Sequence, residues 1–161
     1  KETKGQETYA DTLNSVAKSL PALTRAQKVG KRAARAGMDF DDAAAAFDCV
    51  RAERAELQAA IADGDKAMIE QELGDLLFSC VNTARHLGID AEQALTKATG
   101  KFIERFAATE QLVNADGKHM PDLTIGELDV YWDDAKEHQR QAQEQQIETE
   151  NTQEENDNDQ I

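Results

Sequence analysis

The sequence is poor in the residues that build sheets and disulfide scaffolds. Of 161 residues, two are proline, two are cysteine and one is tryptophan, and aromatic residues make up 5%. Ala, Glu, Gln, Leu and Lys dominate instead, a composition that suits helices and argues against strands. The fold class read from this is all-α. Cys49 and Cys80 are too few for a disulfide framework. Both fall inside helical, partly apolar patterns and read as reduced core thiols. No apolar run approaches the roughly 20 residues needed to span a bilayer, and nothing resembles a signal peptide, so no membrane partner and a cytoplasmic location are expected. Position 1 is Lys rather than Met, which reads as a fragment or a trimmed product.

Basic residues are also in deficit. Eighteen Lys and Arg face 32 Asp and Glu, giving a formal charge of −14 and a pI near 4.5. Binding along a nucleic-acid backbone needs a basic footprint that displaces counterions, so no nucleic-acid partner is expected. A small anionic ligand would need cations or a local basic patch. The acidity is uneven, because residues 133–161 carry ten acids and two bases. Several chemistries are missing as well. His86, His119 and His138 form no zinc spacing with the cysteines, no GxxxxGK loop occurs, and Ser79 has no patterned His and Asp partner.

What remains is a run of helices with clear punctuation. Residues 1–20 are polar and read as a leader or linker, with a loop or partial helix. Pro21 opens a helix over about 22–36 that Gly37 closes. Asp39 to Asp42 supply N-caps for a helix over about 43–62, ended by Asp63-Gly64-Asp65. A third runs to about 87, before Gly88. Asp90 caps a fourth that reaches about 113, and Thr124 with Glu127 forms a capping box for a fifth. The domain is placed at 21–138. Residues 139–161 form an acidic, Gln-rich tail, with about 145–161 expected to be disordered because so few apolar residues cannot offset the entropy of ordering.

Two acid pairs stand out, Glu53 with Glu56 and Glu72 with Asp75, each three residues apart and so on one side of a helix. Taken alone, either reads as a solvated helix face. Their placement adds meaning. Glu56 lies eight residues before Gly64 and Glu72 eight after it, and Glu53 and Asp75 lie eleven before and eleven after. In an antiparallel helical hairpin both pairs would sit roughly 12–17 Å from the turn, opposite one another. At about 100° per residue, Glu72, Asp75, Ser79, Asn82 and His86 share a stripe roughly 80° wide. It runs beside the aliphatic stripe of Ile69, Leu73, Leu76, Leu77, Cys80 and Ala84, which reads as core. Four carboxylates beside a packing interface repel one another and resist desolvation unless a cation joins them. An all-oxygen donor set favours Mg²⁺, Mn²⁺ or Ca²⁺ over zinc.

These residues resemble the signature of the MazG family, EExxE followed at a distance by ExxD. It stands here as AERAE at 52–56, fifteen intervening residues, and ELGD at 72–75. RAQKVGKRAARAGMDF at 25–40, ELGDLLFSCVNTARHLGID at 72–90 and KFIERF at 101–106 are similar to the second, C-terminal unit of two-unit MazG proteins, and the resemblance covers roughly 20–137. The opening KETKG resembles the stretch that follows a preceding unit.

The resemblance implies an all-α helical bundle completed by homodimerisation. It implies Mg²⁺-dependent hydrolysis of nucleoside triphosphates, ribo or deoxy, to the monophosphate and pyrophosphate in nucleotide-pool sanitation, with Mn²⁺ as an alternative metal. Glu53, Glu56, Glu72 and Asp75 become the metal ligands and catalytic carboxylates. Lys101 and Arg105 match triphosphate-binding positions, and Trp132 and Lys136 match positions near the nucleotide. One residue departs from the pattern, since Ala52 stands at the first acidic position. That keeps open a second reading, a catalytically weakened helical adaptor. A basic cluster of Arg25, Lys28, Lys31, Arg32 and Arg35 could draw in a polyanion or merely offset the acidic surface.

Overall fold

A computed structural model describes residues 8–158, with the side chain of residue 143 and those beyond 145 outside the description. Six α-helices carry the chain: α1 (Tyr9–Asn14), α2 (Ala22–Arg35), α3 (Ala43–Asp63), α4 (Lys66–His86), α5 (Ala91–Ala115) and α6 (Ile125–Asn158). A short 3₁₀ turn spans Met120–Asp122. No strand occurs among the described residues, so the all-α expectation holds, and none of their helices is long and apolar enough to cross a membrane.

The helix ends follow their local chemistry. Asp42 caps α3 by accepting from the Ala45 N–H at 2.8 Å, and Asp65 caps α4 by accepting from the Ala67 N–H at 2.9 Å. Between these helices Gly64 takes φ 74°, the left-handed conformation that a residue without Cβ adopts at little cost. Thr124 and Glu127 form the expected capping box at α6. The leader holds the short helix α1, and Arg32 of α2 ties it down by donating to the Thr12 carbonyl and, at 2.6 Å, to Ser15 Oγ.

The chain divides into two compact units between Thr96 and Lys97. In the first, α3 packs chiefly on α4 as an antiparallel hairpin around the two-residue turn, α2 lies against α4, and α1 lies against α2. Val16, Ala46, Ala60 and Val81 are its buried apolar residues. In the second unit Val113 and Ala135 are buried, together with Thr109, whose hydroxyl donates to the Arg105 carbonyl. Helix α6 continues to Asn158, through the stretch whose composition pointed to disorder from about 145. Residues 159–161 lie outside the description.

One expectation is corrected on α4. The aliphatic stripe read as core is largely outside: Leu73, Leu77 and Cys80 are exposed, and Ile69, Leu76 and Ala84 are only half-buried. The neighbouring polar stripe is the buried one, with Glu72, Ser79 and Asn82 all below 10% exposure. Periodicity located both stripes but could not say which of them faces α2 and α3. Cys49 and Cys80 are both free thiols, but Cys80 is exposed rather than in the core.

Candidate metal centre

The α3–α4 hairpin brings three of the four sequence-derived acids together. Carboxylate oxygens of Glu53, Glu56 and Glu72 lie within 4.8 Å of one another. The level register about Gly64 explains this, since residues equally far from the turn on the two helices face each other. Glu72 is buried, Glu53 half-buried and Glu56 exposed, so the cluster has one closed and one open side. Burial pushes the Glu72 carboxyl above the ordinary glutamate range, and the charges of Glu56, Asp75 and Glu53 push in the same direction. Three converging carboxylates, one of them desolvated, form a donor set that fits a hard divalent cation.

Asp75 stands one helical turn beyond Glu72, close enough for its charge to act on it, but outside the three-oxygen cluster. It lines a cavity of about 420 Å³ that Glu53 also lines, so the cavity adjoins the acidic cluster. Its other walls come from the α2–α3 loop (Met38, Asp39, Phe40), from Gly30 of α2 and from Phe78, Ser79, Asn82 and Arg85 of α4. Cys49 completes that side. Its thiol lies 3.6 Å from Glu53 Oε1, and burial, followed by Glu53, raises its pKa. The volume falls within the roughly 300–1,000 Å³ typical of small-molecule sites, and the mix of aromatic wall and few polar groups is typical too.

The loop wall is held by a network that sequence reading did not find. Asp39 accepts from both guanidinium nitrogens of Arg85, one at 2.9 Å and the other closer, and lies 2.9 Å from His86 Nε2. Phe40 sets its ring edge-on to His86 at 6.2 Å. Asp39 had been read only as a helix-cap candidate. Its partners lie more than 40 residues away, a separation at which a single sequence carries no pairing signal.

The four remaining candidates lie in the second unit. Arg105 places its guanidinium 5.2 Å from the Trp132 ring centroid and donates from Nε to Gln139 at 3.1 Å. Phe102 meets the same indole at 5.1 Å. Lys101 and Lys136 are exposed. Arg105 and Trp132 are thus brought together, while no described contact joins either lysine to them.

Helices that present clustered carboxylates beside a nucleotide-sized cavity define an all-α, acid-rich metal-site class. Within that class the chain carries a MazG nucleotide pyrophosphohydrolase domain, matched over residues 33–108. It is 42% identical over 117 residues to the nucleoside triphosphate pyrophosphohydrolase/pyrophosphatase MazG of Thermotoga maritima, covering 73% of this chain and 45% of that protein. It is 41% identical over 137 residues to a nucleoside triphosphate pyrophosphohydrolase of Escherichia coli, covering 84% and 52%. A third match, 36% over 74 residues, is to the uncharacterized protein YabN of Bacillus subtilis and covers 46% of this chain and 15% of that one. The chain therefore spans about half the length of the first two relatives. The domain and the acidic cluster together support a hydrolytic function of the MazG type.

Proposed function

We propose that the chain hydrolyses nucleoside triphosphates, ribo or deoxy, to the monophosphate and pyrophosphate with Mg²⁺, and with Mn²⁺ as a substitute. The convergence of Glu53, Glu56 and Glu72 carries this reading. It is supported by the printed activities of the Thermotoga maritima and Escherichia coli relatives. Glu53, Glu56, Glu72 and Asp75 are assigned as the ligand set. A divalent cation held there supplies positive charge to the phosphate oxygens and acidity to water.

The chain's own residues then divide the remaining work. Glu56, the solvent-open member of the cluster, is assigned to accept the proton of the attacking water. The water oxygen joins phosphorus, the bridge between the α and β phosphorus atoms breaks, and pyrophosphate leaves. Glu72 and Glu53 hold the closed side of the cluster, and Asp75 faces the cavity, which we assign to the sugar and base. Lys101, Arg105, Trp132 and Lys136 are assigned to the triphosphate and its neighbourhood. Arg105 suits the role because its indole contact fixes a guanidinium that can still donate to phosphate oxygens. A homodimer and a cytoplasmic role in nucleotide-pool sanitation complete the proposal.

The test is pyrophosphate release from a panel of NTPs and dNTPs, with Mg²⁺ and with EDTA, for the wild type and Glu56→Ala. Metal-dependent release that is lost in the variant is the expected result. A folded wild type that binds Mg²⁺ yet releases nothing would refute the hydrolase reading and leave the adaptor, with Ala52 as its first explanation.

A further inference from the structure

The α2–α3 loop carries Met38 and Phe40 into the cavity wall, yet it is a short connection with Gly37 at φ 86° and little apolar burial of its own: Met38 is 79% exposed. Something else must fix it. The anchor is Asp39. Its Oδ2 accepts from Arg85 at 2.9 Å, and its Oδ1 meets the second Arg85 nitrogen, His86 Nε2 at 2.9 Å and the Phe40 N–H at 2.9 Å. The side chains of Arg85 and His86 are 14% exposed and that of Asp39 is 26%. This pair is thus shielded from the water and salt that weaken surface ion pairs.

The network continues into the cavity. Arg85 also reaches Asn82 Oδ1 from Nε at 3.4 Å, and Asn82 is buried and lines the same space. Behind Asn82 stands Gly30, where an added Cβ would lie 2.7 Å from that oxygen. His86 both meets Asp39 and receives the edge of Phe40. Loop, α4 and α2 are therefore joined through one carboxylate.

We propose that Asp39 is a positioning residue for nucleotide binding: through Arg85 and His86 it holds Phe40 and the α2–α3 loop as the wall against which the sugar and base of the substrate pack. This rests on the assignment of the cavity to the nucleoside. A catalytic role does not fit Asp39, because both of its oxygens are already committed. The Arg85 guanidinium also keeps its carboxyl well below the usual carboxylate range, so it is a poor proton acceptor. Phe40 supplies the flat apolar face that a base stacks on, and its placement depends on the anchor rather than on core packing.

The experiment uses the whole chain and measures binding of α,β-imido nucleotides, one base at a time, by calorimetry in Ca²⁺. Mn²⁺ affinity is measured separately, and all variants are first checked for folding. Asp39→Asn and Phe40→Ala are each expected to weaken nucleotide binding about tenfold and to leave Mn²⁺ affinity within about twofold, with KM rising far more than kcat falls. Phe40→Trp keeps a flat ring and should recover much of the binding. Unchanged analogue affinity in folded Asp39→Asn would overturn the proposal. So would a parallel loss of Mn²⁺ affinity, since the defect would then lie at the acidic cluster. If the wild type and variants show the expected binding but the wild type releases no pyrophosphate, hydrolysis fails while the positioning role stands. A wild type that binds no analogue overturns both.

Discussion

Gly30→Ala is the most direct test of the packing behind the cavity. Gly30 is buried in the middle of α2. Replacing a helical glycine by alanine ordinarily stabilises by about 1 kcal/mol, because alanine loses less backbone entropy on folding. Here the new methyl would lie 2.7 Å from Asn82 Oδ1 and 3.2 Å from Arg85 Nε. Unbonded heavy atoms sit comfortably at roughly 3.5 Å, so the Asn82 amide must move by more than half an ångström. It has little room, being buried and joined to Arg85. Overpacking of this kind costs about 1–3 kcal/mol. Subtracting the propensity gain leaves a net loss of about 1 kcal/mol, a fall in Tm of about 2–4 °C for a chain of this size. Gly100→Ala in α5 is the control, because nothing lies within 4 Å of the position its Cβ would take. It should raise Tm by about as much as Gly30→Ala lowers it. Thermal unfolding followed by far-UV circular dichroism reads both. If Gly30→Ala stabilises as much as Gly100→Ala does, then α2 does not pack on Asn82 and Arg85 as described.

Glu72→Gln should separate stability from function. Because the folded-state pKa of Glu72 is raised, its favourable contribution is present below the ordinary glutamate value and is lost as pH rises through the raised one. In EDTA at neutral pH the variant should therefore melt above the wild type, with the gap closing as pH falls. In Mg²⁺ the order should reverse, because the cation stabilises the folded wild type more strongly, and an unchanged order would count against a metal at this cluster. On the outer face of α4, Leu73 and Leu77 are 45% and 50% exposed. If a second copy covers them, Leu77→Lys should give a monomer in sedimentation analysis where the wild type is dimeric, and a wild type that is monomeric at high concentration removes the dimer from the proposal.

The sequence was most informative where local rules decide. Asp42, Asp65 and Thr124 with Glu127 cap their helices as their chemistry predicts, and Gly64 closes α3. The level spacing of Glu53, Glu56 and Glu72 about that glycine needed only the helical rise to bring them together. Reading stopped where choices are tertiary. Two adjacent stripes on α4 are equally visible in the sequence, but only packing against α2 and α3 shows that Glu72, Ser79 and Asn82 turn inward. The Asp39 anchor spans 46 residues to Arg85, and no local rule links a loop aspartate to an arginine near a distant helix end. The helix through 139–158 shows composition pulling two ways. Few apolar residues argue against order, while Gln, Glu and Ala favour helix and Arg140 pairs with Glu137 and Glu144 along it.

The inversion of α4 links the site to the energetics of the fold. Burying a leucine or phenylalanine contributes about 1.5–3 kcal/mol, yet Leu73, Leu77 and Phe47 stay largely exposed while Glu72 is buried. Among the described residues the largest fully buried side chains are Val113 and Thr109, so the single chain has little large apolar burial to offset that choice. A helix that gains least by turning its acids inward does so only where something else repays the desolvation, and two agents suit this geometry. A divalent cation matches the converging carboxylates, and a covering apolar surface matches the outer stripe. Each would bind the folded chain and not the unfolded one, so each would add to stability by mass action. On the proposed reading, then, the residues that bind metal also weaken the metal-free fold. Activity and folding respond together to the cation, and a variant that neutralises Glu72 gains stability by giving up the site.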